Sequence, residues 1–500
     1  PVQQMKAGND LIMPGSPKQA KAIADAVKNG ELPMETLDEN ISRILKVVFN
    51  STVFKGYEYS DKPDLKANAI IARQAATEGT ILLKNNKALP FSKPGIKIAA
   101  YGVSSYDFIS GGSGSGDVNE AYTISMVEGL ENAGFPVEPT LKTIYSEWVK
   151  QEKAKQPKRK SFMELPPLVP EMPLDGQTLN TKAEITDVAL ITIGRNSGET
   201  TDREVEGDFK LTAKEKSLIS KVSKAYHAHG KKVILILNIG NVVETASWRN
   251  EVDAIVLAWQ GGQEAGNALA DILTGKINPS GKLATTFPMH YSDISSAKNF
   301  PGEELPGAKE EFMGRMSRGK DSKVVYEEGI YVGYRYFNSF GSKTAYPFGF
   351  GLSYTTFRFD NLSLSSKNFE EELTVSIDIT NTGKVAGKEV VQLYLSAPLS
   401  TIDKPVIELK GFGKTKLLQP GETQIISIKL SSKDLSSFYA GRSAWIADAG
   451  TYVVKVGASS EDIKASGTFK LEKEIIVEKT HKVLVPEERI DEMTNVKGSG

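Results

Sequence analysis

Two loops of this chain carry the side chains best suited to chemistry. The first is SGETTDREVEGDF, Ser197 to Phe209, which follows the apolar run VALITIG and holds Glu199, Asp202, Glu204, Glu206 and Asp208 beside Arg203. In open α/β sheets, ligands bind at the loops that leave the carboxyl ends of the strands. A carboxyl that works as a general acid must sit on a loop able to present it to substrate, and Glu199 is so placed. A solvated acidic loop is the plain alternative. The second loop is GGSGSGD, residues 111 to 117, shortly after the apolar run IKIAAYGV. Its glycines allow close backbone approach, so the amides and the hydroxyls of Ser113 and Ser115 can hydrogen-bond a ligand. The loop is not a phosphate cradle of the GxGxxG kind, because Asp117 stands where the third glycine would be and no Gly-Lys-Ser/Thr follows.

Other chemistry-bearing residues read more plainly. Asp10, in KAGNDLIMPG, lies beside an apolar run as a carboxylate at the end of a barrel strand would, although a cap or turn is its simpler role. Trp259, in WQGGQEAG, could stack on a sugar but is more simply a core residue. Cysteine is absent, which excludes disulfides, thiolate nucleophiles and cysteine-ligated metal. The four histidines are His227, His229, His290 and His481; the first two stand at i and i+2, not at the i, i+4 spacing of a helical metal site. No metal and no cofactor is expected.

The elements that position these loops follow from the patterning. At roughly 150 residues per domain, 500 residues make about three domains. With 61 Lys and Arg against 62 Asp and Glu, the net charge of −1 offers no footprint for nucleic acid or an anionic membrane. No run of about 18 apolar residues is present to span a bilayer. Residues 1–55 hold two amphipathic helical patterns, the second with Leu37, Ile41, Ile44, Leu45 and Val48 on one stripe; with almost no strand before them, they read as the last helices of something larger. A polar linker is expected over 56–67. Over 68–290, the runs GTILLK, IKIAAYGV, VALITIG, KKVILILN and AIVLAW alternate with helical stretches, the pattern of a mostly parallel sheet buried on both faces. The Lys- and Pro-rich stretch from about 145 to 183 reads as a surface insertion. Residues 291–354 form an aromatic, Gly-rich connector whose ring hydroxyls are expected to reach water. Over 355–472, alternation in LTVSIDITNTG, EVVQLYLSAP, QIISIKLS and GTYVVKVGAS predicts an antiparallel β-sandwich of immunoglobulin or fibronectin kind. A charged surface tail follows over 473–500, ending in Gly-Ser-Gly, which reads as a flexible linker. The start at Pro1, without Met or signal pattern, reads as a processed or shortened chain.

In order along the chain, KAGNDLIMPG, GGSGSGD, SGETTDR, WQGGQEAG, NPSGKLATTFP, YEEGIYVGYRYF and YPFGFGLSYT resemble glycoside hydrolase family 3, particularly its three-domain bacterial β-glucosidases. The resemblance covers about 350 residues. It implies a (β/α)8 barrel, then an α/β sandwich, then a fibronectin type III-like domain, with only the C-terminal end of the barrel present here. It also implies that Glu199, in the Gly-Glu-x-x-Asp-Arg loop, is the general acid/base and that Ser115, with Ser113 beside it, contacts the sugar. The family's nucleophilic Asp sits in a Ser-Asp-Trp motif that residues 1–500 do not contain, and Asp10 lies downstream of that place. The chain alone is therefore expected to be inactive without a barrel segment or second chain. The reaction implied is retaining hydrolysis of an oligosaccharide or aryl β-glycoside, at a site formed across a domain interface. A β-xylosidase of the same family and a non-catalytic carbohydrate-binding or scaffold protein are the competing readings; a nucleotide-dependent enzyme would rest on GGSGSGD alone. Both the bacterial cytoplasm and the periplasm suit a cysteine-free chain, and monomer and dimer fit equally.

Overall fold

Every residue of VALITIGR, 188–195, is buried, and so is nearly all of KVILILNI, 232–239. Such runs form strands because β-branched side chains pack on a pleated surface covered from both sides. The computed structural model describes residues 1–91, 95–159, 164–199, 202–313, 316–398, 401–482, 485–486 and 488–495. In it, β1 (Ile81–Asn85), β2 (Ile98–Tyr101), β3 (Val188–Arg195), β4 (Lys232–Ile239) and β5 (Ala254–Leu257) form one sheet in the order β1-β5-β4-β3-β2. The pairs β2–β3, β3–β4 and β4–β5 are parallel; β1 runs antiparallel along β5.

Alternate residues of each strand enter two separate cores. Tyr101, Ile191, Leu235 and Ile255 face α6 (Pro139–Lys155), α7 (Gly176–Ile185) and α8 (Ala213–Ala228), through Tyr145, Leu179 and Val222. Ala100, Leu190, Ile236 and Val256 face α5 (Met126–Asn132) and α9 (Ala265–Leu273), through Leu130 and Leu269. The 145–183 stretch thus differs from a continuous insertion: α6 and α7 occupy its two ends, and Tyr145 and Leu179 belong to the core. Part of it, 160–163, lies outside the described residues. Helix Leu65–Gly79 precedes β1, with Ile70 and Ile71 both exposed.

Seven strands between 357 and 471 form two antiparallel sheets, one of three strands (357–364, 372–381, 423–431) and one of four (390–396, 408–414, 450–457, 463–471). The aromatic stretch before them departs from expectation in one respect. Tyr331 is buried and its hydroxyl donates to Asp403 at 2.7 Å, and the Tyr334 hydroxyl accepts from Leu409 N–H at 2.8 Å, so both rings are tied to the sandwich and not to water.

By its internal contacts the chain divides into two units. The smaller is Pro1–Leu65, Ser436–Ala447 and Glu474–Asp491; the larger holds the remaining described residues, all three sheets above included. The smaller unit contains helices Val2–Lys6, Pro17–Lys28 and Met34–Asn50 and a three-stranded sheet of Ser437–Tyr439, Ala444–Ala447 and Ile475–Lys479. Among the described residues no helix is long and apolar enough to cross a membrane.

Candidate active site

The parallel strands β2 to β5 all end on one edge of the sheet, and the loops leaving that edge are the two singled out from sequence together with those after β4 and β5. The Gly-rich loop lies against the Glu199 loop. Ser113 N–H donates to Ser197 O at 2.8 Å, Gly114 to Gly116 form a single 3-10 turn, and Ser115 N–H donates to Glu199 Oε1 at 2.8 Å. Ser115 therefore meets Glu199 with its backbone amide as well as its side chain. Gly114 has to be glycine on two counts: its φ is +64°, and a Cβ there would stand 2.8 Å from Glu199 Cδ. Gly114→Ala is accordingly expected to displace the Glu199 carboxyl while the sheet stays folded; a shifted Glu199 carboxyl resonance in NMR beside an unchanged circular dichroism melt would check it.

Glu199 is exposed. The Ser115 side chain and then its amide hold the Glu199 carboxyl below the ordinary carboxylate range. Of the other acidic residues in this loop, Asp208 is a structural partner. Arg203 donates to it from Nε at 3.0 Å and from Nη2 at 2.7 Å, and reaches Val242 O with Nη1. Glu206 pairs with Lys210 on the surface at 2.5 Å. Glu199 is the carboxylate of this loop that meets the Gly-rich turn; residues 200–201 lie outside the described ones.

Ser113 is buried, its Oγ has no hydrogen-bond partner among the described residues, and it lines a cavity of about 690 Å³ over the ends of β2 and β3. Glu171 lines the same cavity. Burial pushes its carboxyl up to about 7, although Val103 N–H at 3.1 Å and Met172 N–H at 3.0 Å both donate to it. Under the site lies an ion pair that patterning did not reveal. Arg195, 3% exposed, donates to Glu215 from Nη1 at 2.6 Å and from Nη2 at 2.8 Å. Glu215 also closes the capping box of α8 with Thr212.

The remaining candidates have structural settings. Asp10 accepts from Arg43 Nε at 2.9 Å in the smaller unit, a structural pair. Trp259 is half-buried against the core and holds φ +55°. His227 pairs with Asp253 at 2.8 Å, His229 caps α8, and His290 precedes a 3-10 turn. Among the described residues no three His, Asp or Glu side chains are grouped to hold a metal ion.

An α/β sheet domain with a Gly-rich turn holding a loop carboxylate, followed by a β-sandwich, is an architecture with known counterparts. Residues 80–334 match the glycosyl hydrolase family 3 C-terminal domain, and residues 389–460 match the fibronectin type III-like domain. The chain belongs to glycosyl hydrolase family 3. It is similar to the beta-glucosidase 3B of Thermotoga neapolitana, solved in complex with glucose: 46% identity and a TM-score of 0.83 over 95% of this chain and 65% of that one. It is 35% identical to Beta-glucosidase A of Butyrivibrio fibrisolvens over 83% of this chain and 52% of that protein. An Exo-alpha-(1->6)-L-arabinopyranosidase of Bifidobacterium breve is 29% identical over 94% of this chain and 57% of its own length. The chain thus spans a little over half the length of these curated relatives.

Proposed function

We propose that this chain supplies the general acid/base of a retaining β-glycosidase that removes terminal β-linked glucose from oligosaccharides or aryl glucosides. The observation that carries this reading is Glu199: an exposed carboxylate at the carboxyl end of a buried parallel strand, held by a turn in which Gly114 leaves room for it. In this reaction a carboxylate attacks the anomeric carbon while Glu199 protonates the departing oxygen. Glu199 then takes a proton from the water that releases the sugar. In the uncomplexed chain the hydrogen bonds from Ser115 favour the ionised form. The donor becomes protonated when bound sugar excludes water and a second carboxylate stands about 5–5.5 Å away, both of which raise its proton affinity.

The nucleophile belongs, on this reading, to a barrel segment beyond residues 1–500, of which residues 1–55 are the C-terminal end. Relatives named both as glucosidases and as an arabinopyranosidase share the matched region, which favours placing the choice of sugar in that barrel. The test uses a polypeptide carrying the barrel with this chain. Proton NMR of early product is expected to show the β-anomer, and a 2-deoxy-2-fluoro-β-glucoside is expected to label an aspartate outside residues 1–500. An α-anomer as first product, or a label within residues 1–500, would overturn the assignment.

A further inference from the structure

Trp259 holds φ +55°, a left-handed backbone that a bulky side chain seldom adopts. Strain of this kind persists where the surroundings over-determine it, and it gathers at functional sites. Two amide side chains supply the determinants here. Asn238, fully buried at the end of β4, accepts from Ile109 N–H at 2.7 Å and donates to Ile109 O at 3.0 Å and to Trp259 O at 2.8 Å, using its acceptor and both its donor hydrogens. The next residue after Trp259 is Gln260. Its Oε1 accepts from Ser197 Oγ at 2.7 Å and its Nε2 donates to Arg195 O at 3.1 Å.

Ser197 is thereby gripped from two sides. The Gly-rich loop holds its carbonyl through Ser113 N–H, and the loop after β5 holds its hydroxyl. Gly240 makes room for that hydroxyl, since a Cβ at 240 would fall on Ser197 Oγ. Between Ser197 and Glu199 stands only Gly198, where a Cβ would fall on Ser113 Oγ. Glycine is required there by space, and it brings conformational freedom into the one link that carries the carboxyl. That freedom has to be removed from outside the link.

Resting on the reading of Glu199 as proton donor, we propose that Ser197 and Gln260 are positioning residues whose mutual hydrogen bond sets where the Glu199 carboxyl stands relative to the departing oxygen. Misplacement by about 1 Å of a group that must meet a reacting atom costs on the order of 100-fold in rate. The bond leaves the substrate untouched, so its loss acts on proton delivery and not on binding.

The test compares Ser197→Ala, Gln260→Met and the double variant, in a polypeptide carrying the barrel, on glucosides of graded leaving-group acidity. Each single variant is expected to lose about 10- to 100-fold in kcat on cellobiose with KM changed less than about threefold. On 2,4-dinitrophenyl glucoside, whose departure needs no proton, kcat/KM is expected to stay within about threefold. The double variant should be no worse than the poorer single one, because both remove the same bond. Ser197→Thr, which keeps the hydroxyl for Gln260, should hold the cellobiose rate within about threefold of the parent, and with Ser197→Ala it carries the test if Gln260→Met does not fold. Equal losses on both substrates, or none on either, overturn the positioning role. Glu199→Gln run alongside separates the two readings. If it shows no dependence on leaving group, the acid/base assignment itself fails; if it does and the Ser197 and Gln260 variants do not, only the positioning role fails.

Discussion

Turnover of a β-glucoside with a poor leaving group is expected to fall about 10²–10⁴-fold when Glu199 is replaced by glutamine, in a polypeptide that carries the barrel with this chain. The replacement isolates the proton. A glutamine side-chain oxygen still accepts from Ser115 N–H, so the 2.8 Å contact to the Gly-rich turn survives and the loop keeps its place. A dinitrophenolate leaves without assistance, so the glycosyl-enzyme still forms from an activated glucoside. It then accumulates, because the water that should release it has lost its base. Azide needs no deprotonation, and adding it should restore turnover and yield the β-glucosyl azide. A burst of dinitrophenol followed by a slow, azide-accelerated phase is the signature to seek in stopped flow. Parent rates on both substrates, with azide having no effect, would remove Glu199 from the reaction.

Arg195→Met should cost stability more than any surface change. Arg195 stands at the end of β3 with its guanidinium between Glu215 and two backbone carbonyls, those of Gly194 and Asp208. Methionine fits the volume but leaves the carboxylate of Glu215 without its cation and takes the Arg195 donors from the Gly194 and Asp208 carbonyls. Breaking a buried ion pair from one side costs about 3–5 kcal/mol. The loss should appear as a lower midpoint for the larger unit in calorimetry. Removing the orphaned charge as well, in Arg195→Met with Glu215→Gln, should recover part of it, since Gln still serves the cap with Thr212. Equal midpoints for parent and single variant would show that the pair is dispensable.

The two loops were legible because their signal is local: an apolar run marks a buried strand, and the residues just past its end lie where a sheet binds ligands. The same logic gave the alternating sandwich strands. What escaped the sequence shares one property, that it depends on contacts between distant positions. Gln260 and Ser197 are 63 residues apart, and Asn238 and Ile109 are 129 apart, so neither pair leaves a periodic trace. The left-handed Trp259 is likewise set by Asn238 and not by its neighbours in the chain. The later part of α6 reads as insertion because its outer face is crowded with lysine, which masks the stripe that buries Leu141 and Tyr145. The linker expected over 56–67 overlaps the first residues of helix Leu65–Gly79 because Leu65, Lys66 and Ala67 carry no apolar stripe of their own.

The interleaving of the smaller unit bears on synthesis. Its helices lie within residues 2–50, yet the strands that share their unit come from positions 437–447 and 475–479. Chains usually fold from the amino end forward, a domain at a time. Here the helices of the smaller unit can meet those strands only after the α/β sheet and the sandwich, which lie between them in sequence, have been translated.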